Sequence, residues 1–121
     1  MAKTTATYWN VLEKANRDRW ETVEGSSGNI EQITLAIDPI TGDYTRITRF
    51  KAGTNTKAMG AQVHDYPEEI FIISGRLYDE AFKIWLEPGY YASRPPREIH
   101  GPFTAATECL IWECSYPSQA L

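Results

Sequence analysis

The chain has 121 residues, and its 12 basic and 16 acidic side chains leave a formal charge of −4. That length accommodates one domain and excludes a second independent core. With 42% apolar and 23% charged residues, the composition excludes wholesale disorder, and the acidic, unclustered balance argues against a nucleic-acid or anionic-membrane surface. The longest apolar runs, Ile70–Ile73 and Cys109–Trp112, are four residues each, far short of the about 20 that span a bilayer. The opening MAKTTATYWNVLEKANRDRW has no apolar stretch of the signal-peptide kind. The expectation is a soluble, cytoplasmic protein.

Along the chain, Val11, Leu12 and Ala15 sit at helical spacing and suggest a short helix within 8–20. Gly25-Ser26-Ser27-Gly28 is a loop. Beyond it, short β-prone runs alternate with turn residues, the punctuation of an all-β protein. Strands are expected at 30–37, 44–51, 60–64, 68–74, 77–79, 82–86, 89–94 and 107–115. So many short strands suit a small barrel or a two-sheet jelly roll. Cys109 and Cys114 fall in one strand on opposite faces, so a bridge between them is disfavoured and both read as reduced, half-buried thiols.

The chain has only two histidines. In Gln62-Val63-His64-Asp65-Tyr66-Pro67-Glu68-Glu69, Gln62 and His64 share a strand face. Asp65-Tyr66-Pro67 turns the chain, and a hairpin brings Glu68 back opposite His64. An amide oxygen, an imidazole and a carboxylate can thus converge over Ile70 and Ile72. Alternation sends Glu68 inward and Glu69 outward. His100 follows the Pro95-Pro96 break that ends the run opened by Pro88-Gly89.

These two segments resemble the paired motifs of the cupin superfamily. The first, an H-x-H run followed by Glu and Gly, is matched by Gln62, His64, Glu68 and Gly75; the second by Gly89, Pro95 and His100. Gln62 replaces the first motif His, Thr56 the leading Gly, Arg97 the second motif's Gly, and Thr104 the closing Asn. The phrase PEEIFIISGRLYDE is similar to the branch of small RmlC-like cupins that includes anti-sigma factors and acetylacetone dioxygenases. The resemblance implies an all-β fold, a double-stranded β-helix (the cupin jelly-roll barrel) over 29–121. Residues 1–28 would be a short helix or extended segment packing on or between barrels.

It further implies a divalent metal ion on His64, Glu68 and His100, with Gln62 in the place of the third His. Two imidazoles and a carboxylate match the ligand type of non-heme Fe(II) sites, so iron is favoured, with Mn, Ni and Zn compatible. The implied activity is that of a small metal-dependent enzyme. A dioxygenase acting on a diketone- or hydroxyaromatic-like compound ranks first. A lyase, decarboxylase or isomerase, and a non-catalytic metal- or ligand-sensing cupin, are the other readings.

Three further residues are candidates for the chemistry. In 107–115 either alternate set could face inward; if the odd set does, Glu113 is a buried carboxylate and a candidate general base. Arg46 and Arg49 lie on opposite faces of 44–51, and Arg49 is assigned to orient a substrate oxygen. Of Tyr90 and Tyr91, one is expected on the inner face, and Tyr91 is the one assigned to the site. Phe71 and Ile73, facing outward, call for cover from residues 8–20 or from a second subunit. A homodimer with a small-molecule substrate is the expected assembly.

Overall fold

A computed structural model describes residues 2–121. Among them nine strands form two antiparallel sheets. The larger runs in the order β1 (Glu21–Thr22), β2 (Ile30–Ile37), β3 (Tyr44–Phe50), β9 (Cys109–Ser115), β4 (Glu68–Ser74) and β7 (Tyr91–Arg94). The smaller runs β6 (Ile84–Leu86), β5 (Leu77–Asp79) and β8 (Phe103–Ala105). The core lies between the sheets. Ile30, Phe50, Ile70, Ile72, Cys109 and Ile111 from the large sheet meet Leu77, Phe103 and Ala105 from the small one. Alternation along each strand selects these residues, because successive side chains leave a strand on opposite faces.

The outer face of the large sheet carries a second cluster. Ile33, Ile47 and Leu110 are covered there by Trp9, Val11, Trp20 and Leu35. Residues of the N-terminal segment therefore pack on the large sheet, and its helix within 8–20 is a 3-10 helix rather than an α-helix. That helix, Lys14–Arg19, is six residues long with no side-chain cap, which suits so brief a pattern. The segment covers β2, β3 and β9 and leaves Phe71 and Ile73 about two-fifths exposed, at 42% and 41%.

Two other expectations need correction. Residues 60–64 are not a strand. A 3-10 turn at Lys57–Met59 leads into Gly60 at positive φ, and Gln62 forms a single bridge to His100. Conversely, β1 and β8 lie outside the expected strands, since runs of two and three residues carry little alternation to recognise. Gly75 shows why the tight turn after β4 admits no side chain. It sits at φ +84°, and a Cβ there would overlap the Glu108 carbonyl and lie 2.7 Å from Cys109 Cα. Both cysteines are free and buried. No helix among the described residues is long and apolar enough to cross a membrane.

Candidate functional site

One end of the space between the sheets is a cavity of about 260 Å³. Its apolar wall includes Val23, Ile30, Phe50, Ile70, Phe103 and Ile111; its polar wall holds Gln62, His64, Glu68, His100, Glu113, Arg46 and Arg94. All four metal-ligand candidates thus open into the same space.

Strand pairing explains the convergence. The bridge between Gln62 and His100, with N–H to O distances of 2.7 and 3.0 Å in the two directions, docks the first-motif segment against the second. The His64 carbonyl accepts from Arg97 N–H at 2.6 Å. Buried Asp79 accepts from Gly101 N–H at 2.9 Å and so fixes the chain just past His100. Glu68 enters on β4, whose neighbours are β9 and β7. As a result the His64 and His100 ring centroids are 5.7 Å apart, and His64 Nε2 lies 3.7 Å from Glu68 Oε2. The His64 ring stacks on Tyr66 at 4.9 Å.

The electrostatics favour neutral imidazoles. Burial, reinforced by the Arg46 guanidinium, holds His64 below its ordinary value. Burial, together with Arg94 and His64, pushes His100 down to about 3. Both rings therefore keep a nitrogen lone pair at neutral pH. His100 Nδ1 is buried without a hydrogen-bond partner. Glu68 is held above the ordinary carboxylate value, first by burial and then by the charge of Glu113, against the pull of Arg94 and Arg46. Its Oε1 accepts from Arg94 Nη1 at 3.0 Å and its Oε2 from Ser115 Oγ at 3.2 Å.

The inward set of β9 is the odd one: Cys109, Ile111 and Glu113. Glu113 is directly opposite Arg46, accepts from its Nη2 at 3.1 Å, and also accepts from Thr48 Oγ1. Arg46, not Arg49, is therefore the arginine of β3 that reaches the cavity. Arg49 faces the other way, over the Trp20 ring at 4.1 Å and beside Glu31 and Glu108 at 3.6 and 3.9 Å. The parity of β3 decides this, because Arg46 shares a face with Thr48 and Phe50. Tyr91 is likewise outside. It is exposed and donates to outward-facing Glu69 at 2.6 Å, because its neighbour Ala92 takes the inward place opposite Ile70. Tyr90 is exposed as well.

Arg94, beside the Pro95-Pro96 turn, reads from sequence as solvent-exposed but is mostly buried, and Ser115 carries no signal of its own. Each stands directly opposite Glu68 in the register of the large sheet. The only hint in the sequence is that Arg94 shares the parity of Ala92 on a strand ended by Pro95.

The donor set can be compared with what a divalent ion requires. Metal–nitrogen and metal–oxygen distances near 2.0–2.2 Å allow two ligands of one ion to stand up to about 4 Å apart, and the His64–Glu68 separation lies within that limit. Glu68 directs one oxygen to Arg94 and the other toward His64, so one carboxylate can serve both, as ligating carboxylates commonly do. Among the described residues, no three His, Cys, Asp or Glu side chains are already gathered as a ready cluster. His64, Glu68 and His100 border one cavity and could together hold such an ion, though they do not form a closed set.

Two antiparallel sheets closed around a cavity, with both motif histidines on its wall, define a cupin jelly roll. The chain belongs to the ChrR cupin-like domain family, whose model matches residues 10–119. Among solved structures it resembles an RmlC-like cupin from Shewanella frigidimarina (TM-score 0.68, 13% identity, covering 97% of this chain and 95% of that one). It also resembles an acetylacetone dioxygenase from Acinetobacter johnsonii (0.67, 17%, 96% and 77%). A third likeness is to a chain of the Rhodobacter sphaeroides complex of SigE with the anti-sigma ChrR (0.60, 17%, 80% and 48%), and this chain spans about half the length of that one. At these identities the likeness is one of fold. No curated protein sequence matches the chain.

Proposed function

We propose that the protein is a small metal-dependent cupin enzyme, acting as a dioxygenase on a compact oxygenated compound of the diketone or hydroxyaromatic kind. One observation carries this reading: His64 and Glu68 offer donor atoms 3.7 Å apart on a cavity wall shared with His100 and Glu113. His64, His100 and Glu68 would hold the divalent ion, with the Gln62 amide oxygen as a fourth, weaker donor; iron is the first candidate, with Mn, Ni and Zn compatible. Such an ion supplies Lewis acidity toward a carbonyl or enolate oxygen and, if it is iron, a place for O2.

The chain's own groups supply the rest. The apolar wall takes the body of the substrate and sheds its water. A cavity of about 260 Å³ is small by the usual range of ligand pockets, which restricts the substrate to a compact molecule. Glu113, anchored by Arg46 and Thr48, is a carboxylate fixed in orientation and able to take a proton from an acidic C–H or O–H. The Arg46 guanidinium beside it offers further N–H donors to a substrate oxygen. A proton-transferring isomerase or lyase is the second reading, favoured by this carboxylate held ready as a base. We also propose that the exposed Phe71–Ile73 face is covered by a second copy of the chain.

Metal analysis of protein purified without chelator, followed by oxygen uptake on a panel of diketones and catechols, tests the proposal. Stoichiometric metal with substrate-dependent uptake supports the dioxygenase. Metal with turnover but no uptake favours the proton-transfer enzyme. Absence of bound metal after incubation with Fe(II), Mn(II), Ni(II) and Zn(II) refutes both.

A further inference from the structure

Glu68 is the most buried acid on the cavity wall, at 3% exposure, and Arg94 meets it with a side chain itself only 11% exposed. The pair is built by the backbone. Arg94 is the last residue of β7, directly opposite Glu68, and Pro95 holds it extended. Cross-strand partners have neighbouring Cβ atoms, so the guanidinium reaches Glu68 Oε1 at 3.0 Å without leaving the sheet. A carboxylate this deep needs a cation or several donors. Arg94 and Ser115 supply them from the chain itself. A second pair, Arg46 with Glu113, balances the other acid. Two acids thus face two guanidinium groups across the cavity wall.

We propose that Arg94 is a resident cation at Glu68: it stabilises the metal-free protein and, by repelling a divalent ion bound to the same carboxylate, lowers the affinity of the site. The affinity half rests on the metal reading given above. An alternative role predicts the opposite sign. If Arg94 served only to orient Glu68 toward the ion, its loss would weaken binding, commonly by about 10–100-fold. If it competes, its loss removes a full positive charge held on the ligand carboxylate and tightens binding.

The test compares wild type, Arg94→Met, Arg94→Lys and the double variant Glu68→Gln/Arg94→Met. Each is titrated calorimetrically with Mn(II) and Zn(II), and each is melted in chelator. Arg94→Met is expected to bind about tenfold tighter or more, and Arg94→Lys, which keeps the charge, to stay near wild type. In chelator Arg94→Met should melt lower, and the double variant should recover part of the loss because a neutral Gln needs no counter-ion. Weaker binding by Arg94→Met overturns the competition. An unchanged melting temperature overturns the counter-ion, whatever the metal does. If no variant binds either ion while the loss and its recovery are observed, the metal reading falls and the resident cation stands. Should Arg94→Met not fold, Arg94→Gln takes its place in the titration with the same expected and overturning results, and folding reads the other half: the double variant folding where Arg94→Met does not upholds the counter-ion, and failure of both overturns it.

Discussion

Replacing Arg46 by Met isolates the second internal ion pair. The change removes the cation that donates to Glu113 at 3.1 Å and leaves the carboxylate on the cavity wall with the Thr48 hydroxyl. Breaking a fully buried pair from one side costs about 3–5 kcal/mol. Arg46 retains 22% side-chain exposure and Glu113 10%, so water screens part of the charge and about 2–3 kcal/mol is the working figure. A chain of 121 residues, at about 2.1 cal/mol/K per residue, has an unfolding entropy near 0.25 kcal/mol/K. The melting temperature should then fall by about 8–12 °C. In Glu113→Gln/Arg46→Met the charge is gone and Thr48 can still bond the amide, so the double variant should melt above Arg46→Met. Differential scanning calorimetry of the wild type, both single variants and the double closes the cycle. Additive losses, or an Arg46→Met protein melting within about 2 °C of wild type, would show that the two side chains do not act as a pair.

Other substitutions address the cavity, the turn and the outer face. His100→Ala should abolish binding of divalent ions in equilibrium dialysis, Glu69→Ala should leave it unchanged, and Gln62→His should tighten it; equal losses from His100→Ala and Glu69→Ala would break the assignment of Glu68 as the inward acid. Gly75→Ala places a Cβ against the Glu108 carbonyl at a φ of +84°, so a cost of about 3 kcal/mol or more is expected, read as the shift in a urea midpoint; a near-neutral substitution would contradict the close approach. Sedimentation equilibrium should return a dimer of the 13.8 kDa chain, and Phe71→Lys should return the monomer. A wild-type monomer would leave the Phe71–Ile73 face without its proposed cover.

Alternation read the relative facing of residues well and their absolute facing poorly. Glu68 against Glu69 needed only parity with Ile70 and Ile72, which sit in the core. Arg46 against Arg49 needed to know which face of β3 is the inside, and β3 is apolar on both sides. Phe50 belongs to the core between the sheets, while Ile47 lies under Trp9, Val11 and Trp20. When the N-terminal segment covers the outer face, hydrophobicity stops distinguishing inside from outside, and an arginine on either face reads alike. Tyr91 failed for the reverse reason. An aromatic ring on a strand reads as inward, yet β7 is an edge strand whose outer face carries no covering segment. His64 and His100 were legible because their spacing to Glu68, Gly75 and Pro95 repeats a motif, but the bridge that docks Gln62 on His100 spans parts of the chain that no local pattern connects.

The acids of the cavity show why a motif alone overstates how ready a site is. A motif records which residues can coordinate, but not what those residues already bond. Glu68 satisfies the spacing and faces His64, and it is also the partner of Arg94, a residue that as a sequence looks like the solvated end of a strand beside Pro95-Pro96. The same holds for Glu113, whose candidacy as a base depends on Arg46 and Thr48 across the β3–β9 register. In both cases the deciding neighbour is cross-strand and distant in the chain. A carboxylate already neutralised by a guanidinium exerts less pull on a dication than a bare one at the same position. If the protein holds the proposed ion, its affinity depends on the arginines opposite the acids as much as on the ligands themselves, and two chains with identical ligand motifs but different residues at positions 46 and 94 should differ in affinity for the same ion.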